Sequence, residues 1–164
     1  MGWIQITIAL IYIISILFCK VMCKLTQEDK DLIIKYHNSE RGDVLVGPIT
    51  WNKTLEKIAT IEVSKCDIKV YRFNGPYGES SYGNFDADTW DVLGEWASQK
   101  YSYNYPKNNC TGRCENYLQM IWNNTRSIGC ATKLCYGISE IPFYVCEYYP
   151  PGNIRGERPY RVPQ

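Results

Sequence analysis

Glu115-Asn-Tyr-Leu-Gln-Met-Ile-Trp122, then Ile128-Gly-Cys-Ala-Thr-Lys133 and Phe143-Tyr-Val-Cys-Glu-Tyr148, decide the fold class. In the first stretch Tyr117, Leu118, Ile121 and Trp122 recur at helical spacing, which predicts a short helix over 115–122. After it the period falls to two. Ile128, Cys130 and Thr132 alternate with Gly129, Ala131 and Lys133, and Phe143, Val145 and Glu147 alternate with Tyr144, Cys146 and Tyr148. That change of period predicts two strands joined through a turn at Gly137.

Upstream the periodicity is helical. Thr26-Gln-Glu-Asp29 offers a capping oxygen with acids in the first turn, Leu32, Ile33, Tyr36 and His37 share one face, and Gly42 supplies a stop. Gly47-Pro48 interrupts the chain before a second helix, with Asn52 as its cap and Leu55, Ile58, Ala59 and Cys66 on its inner side. The segment from Tyr71 to Asn84 is rich in Gly, Ser, Asn and Tyr, and its Gly75-Pro76-Tyr77-Gly78 reads as turn chemistry. A third helix starts at Asp86 or Asp88, with Val92, Leu93, Trp96, Ala97 and Lys100 at its spacing, and Tyr101–Asn109 with Pro106 reads as loop. From Pro150 onward, Pro151, Gly152, Pro159 and Pro163 predict an extended, irregular tail. With no repeat and no second composition regime, the chain reads as one α+β domain.

Its 164 residues are 45% apolar and 21% charged, which excludes disorder. A formal charge of +1 gives no electrostatic case for nucleic acid or for an anionic membrane. Trp3 to Cys19 carries no charge and Lys20 ends it. We read residues 1–23 as a secretory signal cut before Lys24, with an uncleaved anchor as the alternative, since the segment before Trp3 lacks the usual Lys or Arg. Without it, eight cysteines become six (Cys66, Cys110, Cys114, Cys130, Cys135, Cys146), and 17 basic residues balance 17 acidic ones. An even number in a secreted chain implies three disulfides, with 15 connectivities that spacing does not sort. The spacings do not match zinc or redox motifs. The lone histidine, His37, excludes any site that needs two imidazoles.

Several motifs, taken in order, resemble the CAP superfamily and most closely its plant pathogenesis-related protein 1 group. They are His37-Asn38-x-x-Arg41, Val46-Gly47-Pro48-x-x-Trp51-Asn52-x-x-Leu55, Gly75-Pro76-Tyr77-Gly78-Glu79, Trp96-x-x-x-Lys100-x-x-Tyr103-x-Tyr105 and Tyr117-x-Gln119-x-x-Trp122. Gly129-Cys130, Cys146-x-Tyr148-x-Pro150-x-Gly152-Asn153 and Pro159-Tyr160 complete the set, which spans residues 25–160. The resemblance implies a three-layer α-β-α sandwich with a central antiparallel sheet over residues 24–149, and a proline-rich extension, 150–164, packed on it. It implies the pairs Cys66–Cys135, Cys110–Cys114 and Cys130–Cys146. It also implies a secreted, extracellular (apoplastic), defence-related and non-enzymatic protein, in a group several of whose members bind sterols or other lipids.

The family's cleft is lined by two His and two acidic residues, and the imidazoles can hold a divalent metal. Matched by motif, those positions are Arg72, Glu79, Gln99 and Asn116 here, so only Glu79 is retained. An arginine does not ligate metals and amides are poor zinc ligands. We therefore expect no metal and no cofactor, with Arg72 and Glu79 either paired or turned apart. A cleft hydrolase is disfavoured, because no nucleophile–base pair can be named without a histidine there. His37 falls in a packing position of the family.

Twelve of the fourteen Tyr lie beyond residue 70, as expected for core and loop packing, with an aromatic groove for a flat apolar ligand as the alternative. In lipid-binding relatives the sterol region lies near the Tyr117–Cys130 segment. Asn123 and Asn124 make that loop polar here, and Asn116 and Leu118 depart from the family pattern beside it. Some members release a signalling peptide from the tail, for which Pro150 to Tyr160 is the matching segment. Glu147 in place of Asn, and Arg161-Val-Pro-Gln164 beyond Tyr160, favour a packed strap instead. Sequons at Asn52, Asn109 and Asn123 are candidate glycosylation sites. The expected partner is a sterol, another lipid or a protein, bound by a monomer.

Overall fold

A computed structural model describes residues 24–67, 75–135 and 141–161, together with Gln5, Ile6 and Ile8. The signal segment, Arg72 and the Gly137 turn lie outside the described residues. Among the described residues from 24 onward there are four α-helices: α1 (Gln27–Asp43), α2 (Lys53–Ser64), α3 (Thr89–Ser98) and α4 (Glu115–Met120). Strands β1 (Thr50–Trp51), β2 (Gly78–Gly83), β5 (Ser127–Cys135) and β6 (Ile141–Tyr149) form one sheet in the order β1-β5-β6-β2. Short strands β3 (Tyr103–Asn104) and β4 (Asn109–Cys110) pair separately. None of the described helices is long and apolar enough to cross a membrane.

Local chemistry sets the helix starts. Thr26 and Asp88 each close a reciprocal capping box, with Asp29 and Asp91 respectively, and Asn52 Oδ1 accepts from the amides of Thr54 (2.8 Å) and Leu55 (3.3 Å). The helix at 115 is shorter than its apolar spacing predicts, because it ends at Met120. Lys100 falls beyond α3, in a 3-10 turn (Gln99–Ser102), and faces Glu40 on α1 at 3.5 Å.

The alternation in β5 and β6 becomes two cores. Even-numbered Ile128, Cys130, Tyr144, Cys146 and Tyr148 face α1, α3 and α4, where Ile33, Val92, Leu93, Trp96, Met120 and Ile121 close the larger core. Odd-numbered Ala131, Cys135, Phe143 and Val145 face α2 through Ala59 and Val63. Val63 takes the inner position that spacing had given to Ile58, which is only half-buried. Helices on both faces make the sandwich that the resemblance implies. Cys66 is joined to Cys135, tying the end of α2 to the sheet, and Cys130 to Cys146 across the β5–β6 pair. A third bridge, Cys110 to Cys114, closes the turn before α4.

Two segments differ from the sequence expectation. Gly78–Gly83, read as turn-rich loop, is an edge strand hydrogen-bonded along β6 from Gly78–Tyr148 to Gly83–Phe143. The neighbouring strand supplies the order that the polar stretch Gly-Glu-Ser-Ser-Tyr-Gly lacks by itself. Tyr101–Asn109, read as loop, carries the β3–β4 ladder. The sheet is antiparallel except at its β1 edge, where β1 and β5 run parallel.

Gly129 lets α2 seat on the sheet. A Cβ there would stand 2.1 Å from the Glu56 amide nitrogen and 2.6 Å from the Asn52 carbonyl oxygen, and neither backbone atom can rotate aside. Gly129→Ala is expected to destabilise the domain by about 2 kcal/mol or more, as overpacking against backbone does. Urea denaturation measures it, and an unchanged midpoint would contradict this close approach.

Candidate functional site

Three of the family cleft positions are described, and they fall in two places. Gln99 and Asn116, at the ends of α3 and the start of α4, are both buried, and the Asn116 amide N–H donates to Gln99 Oε1 at 3.1 Å. The amide oxygen that stands where the family has a carboxylate is thus already engaged by backbone. Glu79, on β2, lines a different cavity on the α2 side of the sheet, about 420 Å³ in volume. Its other walls are Ile58, Glu62, Lys65, Gly75, Pro76, Tyr77 and Glu147.

The described cleft donors are poor ligands for a divalent metal. Gln99 and Asn116 offer amides, one of them already hydrogen-bonded, and Glu79 faces elsewhere. Among the described residues no group of three or more His, Cys, Asp or Glu is placed to hold a metal ion.

Glu147 is the residue that motif reasoning passed over as a site. It occupies the inward, odd-numbered register of β6, is 4% exposed, and stands directly opposite Glu79 in the β2–β6 ladder. Burial, then the negative charges of Glu79 and Glu62, push its carboxyl up to about 8, against a partial offset from Lys65. Lys65 is itself held by Glu62 at 2.5 Å. The cavity therefore holds a Glu147 carboxyl that keeps its proton well above the usual carboxylate range. Among its described walls there is no Ser, Thr, Cys or His to act as a nucleophile or base. A signal for Glu147 existed: a carboxylate in phase with Phe143 and Val145 must point inward.

His37 lies in α1 at 0% exposure, with Nδ1 2.8 Å from the Ile33 carbonyl and Nε2 3.0 Å from the Tyr148 hydroxyl. Burial, with a smaller contribution from the Arg41 charge, pushes its pKa down to about 4 despite the Ile33 bond. It is a neutral core group far from solvent. One turn on, Arg41 is equally buried. Its Nε donates to the Gly47 carbonyl (2.7 Å), Nη1 to those of Met120 (3.0 Å) and Trp122 (2.9 Å), and Nη2 to that of Thr125 (3.1 Å).

The loop after α4 and the tail form one unit. Asn123 and Asn124 are exposed, and the Asn123 amide donates to the Pro159 carbonyl (2.7 Å). Thr125 Oγ1 donates to the Pro150 carbonyl (2.9 Å), the Gly152 amide to Gln119 Oε1 (2.8 Å), and Asn153 Nδ2 to the Glu115 carbonyl (2.9 Å). Arg158 donates to the carbonyls of Tyr105 and Pro106, and its guanidinium lies 4.8 Å from the centre of the Tyr105 ring, which stacks on Tyr160. Of the sequon residues, Asn52 is spent as the α2 cap, Asn109 sits in β4 beside the Cys110 bridge, and Asn123 is open.

Residues 34–148 match the model of the Cysteine-rich secretory protein family, CAP. Pathogenesis-related protein PRMS of Zea mays is 37% identical over 130 residues, 75% of this chain and 77% of that protein. Pathogenesis-related protein 1 of Arabidopsis thaliana is 31% identical over 154 residues, covering 92% and 94%. Among solved structures, venom allergen-like protein 4 of Schistosoma mansoni superposes with a TM-score of 0.71 at 25% identity, over 85% of this chain and 97% of that one. The chain therefore belongs to the CAP family, with plant pathogenesis-related proteins among its relatives.

Proposed function

We propose that this is a secreted, extracellular defence protein that works by binding a sterol, another lipid or a protein, without catalysis and without the family's metal. The pathogenesis-related relatives support the defence setting, and six paired cysteines support an oxidising compartment. The Gln99–Asn116 hydrogen bond carries the rest of the reading. It occupies the Gln99 amide oxygen with the Asn116 backbone N–H, and side-chain amides at both positions are poor zinc ligands and no bases. Calorimetric titration of the mature protein with zinc is expected to give no heat above dilution, whereas an Arg72→His/Asn116→His double variant gains binding. Saturable zinc binding by the unaltered protein would refute the loss of the metal. A labelled sterol offered to the same preparation tests the ligand class.

For the tail, the bonds from Thr125, Gln119, Asn123 and Asn153 support a strap that stays attached over the free signalling peptide. Mass spectrometry of secreted fluid, searching for a peptide that begins at Pro150, decides between the two.

A further inference from the structure

The strand β2 to helix α3 connection builds a pocket with no counterpart among the sites above. About 420 Å³ in volume, it is lined by the aromatic residues Tyr82, Phe85 and Trp90, the acidic residues Asp91 and Glu95, and Asn84 and Ser98, with no Lys or Arg in its lining. Phe85 and Trp90 are 56% and 58% exposed, unusual for rings of that size in a domain whose other tryptophans are mostly covered.

Two of the aromatic residues have fixed contacts. Asn84 Nδ2 donates to the Tyr82 hydroxyl (3.2 Å) while its Oδ1 accepts from the Phe85 backbone amide (2.9 Å), so one side chain ties the Tyr82 ring to the backbone at Phe85. Tyr36 of α1 meets Trp90 edge-on, with centroids 5.4 Å apart and planes at 80°. Asp91 gives one carboxylate oxygen to the Asp88 amide (3.1 Å), and Glu95 has no ion pair or side-chain hydrogen bond among the described residues. Three aromatic residues with two carboxylates on one pocket wall attract a cation. An anion is repelled, and a neutral apolar ligand leaves the carboxylates without a partner. A primary ammonium is strongly hydrated and would seek direct carboxylate contact at the exposed rim. A quaternary ammonium has no N–H to satisfy, is weakly hydrated, and is attracted to ring faces, with carboxylates contributing at longer range.

We propose that this pocket binds a quaternary ammonium group of the choline type. The inference uses none of the cleft residues and stands independently of the binding function argued above.

Titration of the mature protein with choline chloride, followed by tryptophan fluorescence and by calorimetry, is expected to saturate. The neutral isostere 3,3-dimethylbutanol should bind at least tenfold more weakly. Trp90→Ala is expected to weaken choline binding about tenfold, and Glu95→Gln about threefold; both positions are exposed, so folding is preserved and circular dichroism checks it. Choline-competable binding to phosphatidylcholine vesicles, absent with phosphatidylglycerol, would assign the group to a lipid headgroup. Choline binding without vesicle binding would assign it to a free small cation. Equal affinity for the neutral isostere, indifference to both substitutions, or no choline binding at all would overturn the proposal.

Discussion

Arg41→Met is expected to destabilise the folded domain by about 4 kcal/mol. The guanidinium donates to four main-chain carbonyls, those of Gly47, Met120, Trp122 and Thr125, which belong to two loops far apart in sequence. Methionine fills much of the volume but donates nothing. Each buried acceptor left without a donor costs about 1–3 kcal/mol, and local rearrangement recovers only part of the sum. A domain of this size holds about 5–15 kcal/mol in all, so the variant should be close to unfolding at physiological temperature. Arg41→Lys is the informative companion. It keeps the charge and loses the planar fork, and should fall between the two. Urea denaturation at neutral pH measures both, and a loss below about 1 kcal/mol for the methionine variant would show that the carbonyls find other donors.

Glu147→Gln should act in the opposite direction, and only at the right pH. Below about 4.5 the carboxyl is protonated in the folded and unfolded chains alike, so it contributes no pH dependence. Between 4.5 and about 8 the unfolded chain releases a proton that the folded chain retains, and stability falls as pH rises. Above that the penalty is complete, with a ceiling of about 5 kcal/mol for a shift of this size. Glutamine removes the titration but keeps a buried amide, so the expected gain is about 3 kcal/mol near pH 8.5 and vanishes near pH 4. Thermal unfolding of both proteins across that range reads it directly. A gain independent of pH would mean that packing, and not charge, sets the effect.

His37 runs counter to this over part of the range. Its folded pKa lies near 4, below the unfolded value of 6.5, so the stability it contributes is full above 6.5 and is lost as pH falls toward 4. Between 4.5 and 6.5 the two groups oppose each other, which flattens the stability profile in mildly acidic surroundings.

Much of the fold was legible because local chemistry and tertiary packing agree. The period of two in β5 and β6 is the alternation between the two cores, and Thr26, Asn52 and Asp88 cap helices as their side chains allow. Strand β2 was not legible, because Gly-Glu-Ser-Ser-Tyr-Gly has no apolar alternation and takes its conformation from β6. For the site, the four cleft positions could be named only through the resemblance. The structure joins Gln99 to Asn116, turns Glu79 toward Glu147, and leaves Arg72 outside the described residues. Arg41 was one letter of a motif. Its weight comes from carbonyls about 80 residues away, which no local pattern encodes.

Gln119 links three regions through one amide. Its Nε2 donates to Thr125, its Oε1 accepts from the Gly152 amide, and a Cβ on either Gly78 or Gly152 would collide with it. Helix α4, the edge strand and the tail are therefore not free to diverge separately. A larger residue at Gly78 demands a smaller one at 119, one at Gly152 would also meet Trp122 Cγ at 2.8 Å, and a smaller residue at 119 loosens both the strand and the tail. A docked tail therefore ties the size of residue 119 to the absence of a side chain at positions 78 and 152.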